Sequence, residues 1–207
     1  MSYILGFLYA DGNVTKAQRG NCYIAFYTQD EELLVAIRKI INSHHKIALR
    51  TATSGNVYRL QIGSAMWFRD LAAHGLTPNK TKRISFPKIP KEFFGDFVRG
   101  YFDGDGNVWV GQIHKMRKTS HTTIQVSFTS GSIAFVRGLR GCLHQYGLQG
   151  GSIYVPQDKN FGRLTFSVHD ALKLYEIMYN GARKPYLKRK KVVFDRFIKE
   201  CGRGVAG

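Results

Sequence analysis

Two carboxylates stand out in this sequence, Asp11 and Asp105, because each closes the same short stretch. The first copy is Ile4-Leu5-Gly6-Phe7-Leu8-Tyr9-Ala10-Asp11-Gly12-Asn13-Val14. The second is Val98-Arg99-Gly100-Tyr101-Phe102-Asp103-Gly104-Asp105-Gly106-Asn107-Val108. Gly6 answers Gly100, Ala10 answers Gly104, and Asp-Gly-Asn-Val recurs unchanged at an offset of 94 residues (105 − 11). One fixed offset in a chain of 207 residues means two similar halves, not an array of short repeats.

The spacing gives those carboxylates a chemistry. Small residues at i and i+4 share one face of a helix and let two backbones approach closely. The Asp-Gly that follows marks a helix C-terminus, where the dipole disfavours a carboxylate. If the two helices pack together, two misplaced charges converge and call for a cation, and oxygen donors suit Mg²⁺. A plain turn leading into a strand is the better reading of one Asp-Gly-Asn taken alone. Two copies at matching positions favour the site. A calcium loop over Asp103, Asp105 and Asn107 fails, because its sixth and twelfth positions hold Val108 and His114 in place of Gly and Glu.

The elements that must position this pair can be outlined from pattern. A strand, a basic turn with Lys16 and Arg19, and a second strand over 22–29 should follow the first motif. Asp30 should then cap a helix with Leu33, Leu34 and Ile37 inward. Two more strands and a helix capped by Ser64 complete the half, and a Pro-broken linker opens at about residue 77. The second half repeats the order and ends in a basic helix near 186–200. The expected class is α+β: two pseudo-symmetric αββαββα halves, 1–90 and 91–207, with the motif helices at the central interface. The tail 202–207 should fray.

Composition narrows the partner. Lys+Arg 31 against Asp+Glu 14 leaves a net charge of +17, which points to a polyanion. No stretch is long and apolar enough to span a membrane, and the apolar start lacks a signal peptide's basic lead. Three unpatterned cysteines fit a reducing interior, cytoplasm or organelle matrix, without zinc or secretion.

With its two motifs, the chain resembles the single-chain LAGLIDADG homing endonucleases. Gly6 and Gly100, the small residues and both terminal Asp-Gly pairs carry the likeness, which extends over nearly the whole chain. Tyr9 departs from the motif's first Asp, which Asp103 keeps. The resemblance implies metal-dependent, sequence-specific cleavage of double-stranded DNA by a monomer on a long asymmetric target. It implies Mg²⁺ on Asp11 and Asp105, helped by the carbonyls of Ala10 and Gly104. Mn²⁺ is the substitute ion, and Ca²⁺ binds without supporting cleavage. Lys80 and Lys190 take the family's basic positions near the scissile phosphates. Gln29 takes the water-organising position, with Ser130 as its counterpart. An intron maturase or a DNA-binding regulator on the same scaffold is the alternative. An intein is not expected, since the chain opens at Met1 without splicing segments.

In such a scaffold the outward strand residues face DNA. Alternation places Asn13, Thr15, Arg59 and Gln61 outward in the first half, with Thr28, Lys46 and Arg50 added from the strand ends. In the second half it places Asn107, Trp109, Thr123, Gln125, Ser127 and Thr129 outward. Ser152, Tyr154, Arg163 and Thr165 follow from the last two strands. Lys16, Arg19, Lys115, Arg117, Lys118 and Lys188 should contact phosphate. The strand over 22–28 is ambiguous. Outward Cys22, Ile24 and Phe26 would touch thymine methyls, and the other register exposes Tyr23, Ala25 and Tyr27.

Overall fold

The computed structural model describes residues 1–52, 55–113, 121–182 and 185–201. Lys115, Arg117, Lys118 and the tail 202–207 lie outside the described residues. The first half runs α1 (Ser2–Asp11), β1 (Gly12–Lys16), β2 (Cys22–Thr28), α2 (Glu31–Ile40), β3 (Ile47–Ala52), β4 (Gly55–Gly63) and α3 (Ala65–Ala73). The second runs α4 (Lys91–Asp105), β5 (Gly106–Ile113), β6 (His121–Ser130), α5 (Ile133–Gln145), β7 (Ser152–Tyr154), β8 (Gly162–Phe166) and α6 (Val168–Tyr179). A further helix, α7 (Lys188–Cys201), follows, and a 3-10 turn, Lys80–Lys82, lies between the halves. Each half holds one four-stranded antiparallel sheet, in the orders β1-β2-β4-β3 and β5-β6-β8-β7. This is the expected α+β architecture of paired αββαββα halves.

Local chemistry accounts for the helix starts. Ser64 Oγ accepts from Trp67 N at 3.1 Å at the head of α3, and Ser132 Oγ accepts from Phe135 N at 3.3 Å at the head of α5. Asp30 sits at the N-cap of α2 but makes no capping bond; its carboxylate is drawn to Arg189 in α7 instead. The α2 dipole is still matched by Glu31 and Glu32 in the first turn and Arg38 and Lys39 in the last.

Each sheet buries one face against its helices. Ile24, Phe26, Leu60 and Ile62 point inward in the first half; Ile124, Val126, Phe128, Leu164 and Phe166 do so in the second. The register resolves the ambiguity in β2. Ile24 lies opposite Ile62 and Phe26 opposite Leu60, both pairs in the core. Tyr23, Ala25 and Tyr27 therefore take the outward face, and the reading with Ile24 and Phe26 outward is off by one residue.

The helices α1 and α4 cross at their glycines. A methyl group on Gly6 would drive into the Phe97 carbonyl, and one on Gly100 into the Tyr3 carbonyl. The next neighbours are Tyr101 N for Gly6 and Phe7 N for Gly100. Every residue in one set lies 94 positions from its counterpart in the other, so the contact is reciprocal, like that of a twofold dimer.

Candidate active site

Asp11 and Asp105 are the last residues of α1 and α4. Gly12 and Gly106 end the helices with extended backbones (φ −80° and −87°), not in the left-handed conformation common at helix ends. They are glycines because a Cβ there would strike the preceding helical turn at Leu8 and Phe102. The chain thus leaves each helix directly into β1 or β5, with the aspartates at the seam. A Cβ on Gly104 would stand 3.4 Å from Asp11 Oδ2, so the Asp11 carboxylate leans on the partner helix. Desolvation raises the pKa of Asp105 to about 6, and the charge of Asp11 adds to the shift. Desolvation also raises Asp11, against the opposing pull of Lys190 and Lys80. Both carboxylates resist ionisation, Asp105 in part because of the charge of Asp11, the setting in which a cation is gained favourably.

A buried lysine closes each helix end. Lys80 Nζ donates to the Tyr9 and Ala10 carbonyls at 3.1 and 3.3 Å. Lys190 Nζ lies 2.6, 2.9, 3.5 and 2.6 Å from the carbonyls of Phe102, Asp103, Gly104 and Gly106. These carbonyls cluster at the negative end of each dipole, and most of them lack an intrahelical partner; Phe102 O also accepts from Gly106 N, and Gly106 O belongs to the start of β5. Both side chains are 7% exposed. Desolvation lowers both ammonium pKa values, that of Lys190 to about 8, although the nearby aspartates pull each back up. An ammonium has three donors, so four carbonyls saturate Lys190, while Lys80 uses two among the described residues. The Ala10 and Gly104 carbonyls, expected to face a metal, lie against these ammonium groups.

Several residues that sequence reasoning passed over hold this arrangement. Asp103 Oδ2 accepts from the Leu187 backbone N–H at 2.9 Å and from Tyr3 Oη of the other half at 2.7 Å. Arg99 donates to the Met178 and Pro185 carbonyls at 2.8 and 3.3 Å, and pairs with Asp96 at 2.6 Å. Together they pin the chain just ahead of α7, and so the approach of Lys190. Tyr9, the counterpart of Asp103, donates its hydroxyl to the His74 carbonyl after α3. The two unlike residues do the same job, tying a motif helix to a later segment of its half.

Gln29 is exposed beside Asp30 in a cleft of about 570 Å³ that also meets Leu187, Lys188 and Arg189. Its counterpart Ser130 does not match it: Ser130 is 5% exposed and accepts from Ser132 N at 3.1 Å, a structural use. Among the described residues no group of three or more His, Cys, Asp or Glu could hold a metal, so Asp11 and Asp105 have no third such side chain beside them.

The outward sheet faces form rows across the strands. Asn13, Ala25 and Gln61 align, as do Tyr27, Arg59 and Ala48, with Thr15 opposite Tyr23 and Arg50 opposite Val57. In the second half Asn107, Ser127, Thr165 and Ser152 align, as do Thr129, Arg163 and Tyr154, with Trp109 opposite Gln125. Lys46 and Arg19 are exposed just outside their strands, and Lys188 is exposed but paired with Glu32 at 2.9 Å. Three residues differ from expectation. Thr28 lies opposite Tyr58 on the helix side, where its Oγ1 accepts from Asp30 N at 3.1 Å. Thr123, opposite Gly111, is buried; the Trp109 indole fills the space over Gly111. Lys16 lies opposite Cys22, on the helix-side register, though exposed at the strand end.

Solved structures share this fold. The homing endonuclease I-DmoI in complex with DNA and Ca aligns with a TM-score of 0.64 at 14% identity, over 94% of this chain and 96% of that one. Meganuclease I-SmaMI bound to uncleaveable DNA aligns at 0.64 and 12% identity, over 95% and 88%. The I-LtrWI LAGLIDADG homing endonuclease bound to target DNA aligns at 0.59 and 13%, over 99% and 90%. No family model matches the chain. Over an alignment of 116 positions that covers 54% of the chain, the sequence is 30% identical to an A-type ATP synthase polypeptide of Methanopyrus kandleri. The matched segment spans about a tenth of that relative's length, too small a share to carry its activity over.

Proposed function

We propose that this chain, with the fold of LAGLIDADG homing endonucleases, is a site-specific double-strand DNA endonuclease that hydrolyses one phosphodiester in each strand of a long asymmetric target. The observation that carries the reading is the seam. Two pseudo-symmetric helix ends bring Asp11 and Asp105 together, each with a buried lysine behind it, and the sheets that follow them carry Asn13, Arg59 and Gln61 on one outer face and Asn107, Ser127 and Arg163 on the other. The net charge of +17 suits the polyanion such faces would meet.

The donor set fits a divalent metal, Mg²⁺ by preference. Two oxygen-only ligands that repel one another are relieved by a hard cation, and the rest of its shell would come from outside the chain. Such an ion supplies Lewis-acid stabilisation of phosphoryl oxygens and a more acidic water. The chain's own groups set the stage. Asp11 and Asp105 supply negative charge where the helix dipoles already disfavour it. Lys190 offsets that charge from behind and holds the end of α4. Lys80 does the same for α1, with a donor left over for a phosphate or water oxygen. Gln29, exposed in its cleft, is suited to orienting water. The fold brings both halves together within one chain, which suits a monomer and an asymmetric target. No helix among the described residues is long and apolar enough to cross a membrane.

The test is cleavage of a randomised duplex library, in Mg²⁺ and in EDTA, by the wild type and Asp105→Asn. Metal-dependent cuts within one long motif, lost in the variant, are expected. Tight binding without cutting under any divalent ion would replace this reading with a maturase or regulator on the same fold.

A further inference from the structure

The two outward faces share an asparagine and an arginine in their flanking strands, although Thr15 answers Trp109 and Ala48 answers Tyr154, and they differ at every row of the strand between. β1 and β5 present Asn13 and Asn107 at matching row positions, and β4 and β8 present Arg59 and Arg163. Between them β6 offers Gln125, Ser127 and Thr129, all hydrogen-bonding side chains. At the same three rows β2 offers Tyr23, Ala25 and Tyr27. The matching follows from the pairings. Tyr27 lies opposite Arg59 as Thr129 lies opposite Arg163, and Ala25 lies between Asn13 and Gln61 as Ser127 lies between Asn107 and Thr165.

The difference is chemical as well as formal. Gln125 is exposed and can present both a donor and an acceptor to a base edge. Ala25 is 5% exposed, with a tyrosine on either side along the same face. The Tyr23 ring lies over Gly63 in β4, 3.7 Å from where a Cβ would sit. The middle of the first sheet therefore presents two phenol rings, largely apolar with one hydroxyl each, around a buried alanine, while the middle of the second is a row of amide and hydroxyl groups. In a major groove, apolar side chains discriminate chiefly through the thymine C5-methyl, and amides and hydroxyls through base donors and acceptors.

We infer that the protein reads its two half-sites by different chemistry: the half under β1–β4 largely through thymine methyls against the rings of Tyr23 and Tyr27, and the half under β5–β8 through hydrogen bonds from Gln125, Ser127 and Thr129. The inference rests on the proposed DNA recognition and adds which residues carry specificity and in what currency. It makes the target's information content lopsided. Bases under β6 are tightly specified, while bases under β2 tolerate any sequence that keeps its methyl groups in place.

The test is selection of bound duplexes from a random library by the full chain in EDTA, so that cleavage plays no part. Wild type is compared with Tyr27→Thr and with the graft Tyr23→Gln, Ala25→Ser, Tyr27→Thr. Retained affinity for non-specific duplex shows that each variant is folded, and the single variant suffices if the graft is not. The expected motif has one information-rich half and one weaker, thymine-bearing half, and the β2 variants change only the weaker half. Replacing thymine by deoxyuridine in that half weakens wild-type binding about fourfold per contacted methyl. In the other half it changes binding less than about twofold, while 7-deazapurines there cost about tenfold or more. Equal information in both halves, or indifference to uracil substitution where β2 variants act, would overturn the inference and leave DNA recognition standing. No enriched sequence at all would overturn the recognition itself.

Discussion

Lys80 and Lys190 do one task on two different supports. Each buries an ammonium against the carbonyls that end a motif helix. Lys80 stands on a three-residue 3-10 turn. Its segment meets the opposite half through neutral packing, with Thr81 O 2.9 Å from where a Cβ on Gly131 would sit. Ser132 Oγ donates to the Ile84 carbonyl in the same contact, at 2.5 Å. Lys190 stands on the fourteen-residue α7, anchored by Asp103, and meets the opposite half through Arg189–Asp30 and Lys188–Glu32. The comparison shows that pseudo-symmetry is kept where backbones touch and is lost one layer out. The glycine seam permits one solution only, whereas many scaffolds can bring an ammonium to a helix end.

The largest expected effects test the symmetric layer. Gly6→Ala and Gly100→Ala each push a methyl into the partner helix's backbone, which cannot move aside as a side chain could. Both should cost more than ~3 kcal/mol and yield little folded protein. Because the contacts are reciprocal, the two denaturation midpoints should fall together. A tolerated alanine at either position would break the equivalence at its base.

The next layer should split the lysines. Lys190→Met strands a cluster of buried carbonyls and should cost about 3 kcal/mol of stability. Lys80→Met strands two and should cost about 1 kcal/mol, yet, under the proposed function, lower cleavage about 10²-fold, because the ammonium keeps a donor unused by these two carbonyls that a phosphate or water oxygen could take. Urea midpoints and single-turnover rates for the pair decide this. Equal stability losses, or a larger rate loss in Lys190→Met at matched folding, would reverse the assignment of roles.

Much of this frame can be read from the chain itself, and the limits have physical causes. The doubled motif exposes the seam, since two glycines and two aspartates at one offset admit few other uses. The sheets follow from alternation wherever one face is polar, as in β6. Alternation gives no answer in β2, where Cys22 to Tyr27 is apolar or aromatic on both faces and only the pairing with Leu60 and Ile62 decides. Contacts between distant segments are illegible. Nothing local shows that Asp103 will hold Leu187, or that Asp30 will give up its cap for Arg189 in the other half. Saturation of Lys190 is likewise a property of four carbonyls that converge only once α4 and α7 have packed.

The aspartates give a pH signature on the Lys190 side. Asp103 and Asp105 are both raised by desolvation to about 6 in the folded protein, from an ordinary 3.8. Between those values the folded chain keeps protons that the unfolded chain has released, so stability falls as pH rises through that window. Asp105→Asn removes one contribution. It should flatten the decline and, above pH 6, raise Tm by a few degrees, while abolishing cleavage. A variant as pH-dependent as wild type would place the titration elsewhere.

The smallest effect belongs to the outermost layer. Arg189 and Lys188 are exposed, and exposed ion pairs contribute ~1 kcal/mol or less, because water competes for both partners. Arg189 has the better geometry, with Nε and Nη2 both 3.1 Å from Asp30 Oδ2. A double-mutant cycle with Asp30→Asn and Arg189→Gln should therefore show a coupling below ~1 kcal/mol at low salt, fading by about 1 M, where the Debye length is ~3 Å. The counterpart seam at Thr81 and Gly131 carries no charge, so Thr81→Ser should show the same small cost at every ionic strength. If salt weakened both seams alike, the contrast between an ionic contact and a packed one would be wrong. If it weakened neither, Arg189 would act through its packing against the cleft beside Gln29 and not through its charge.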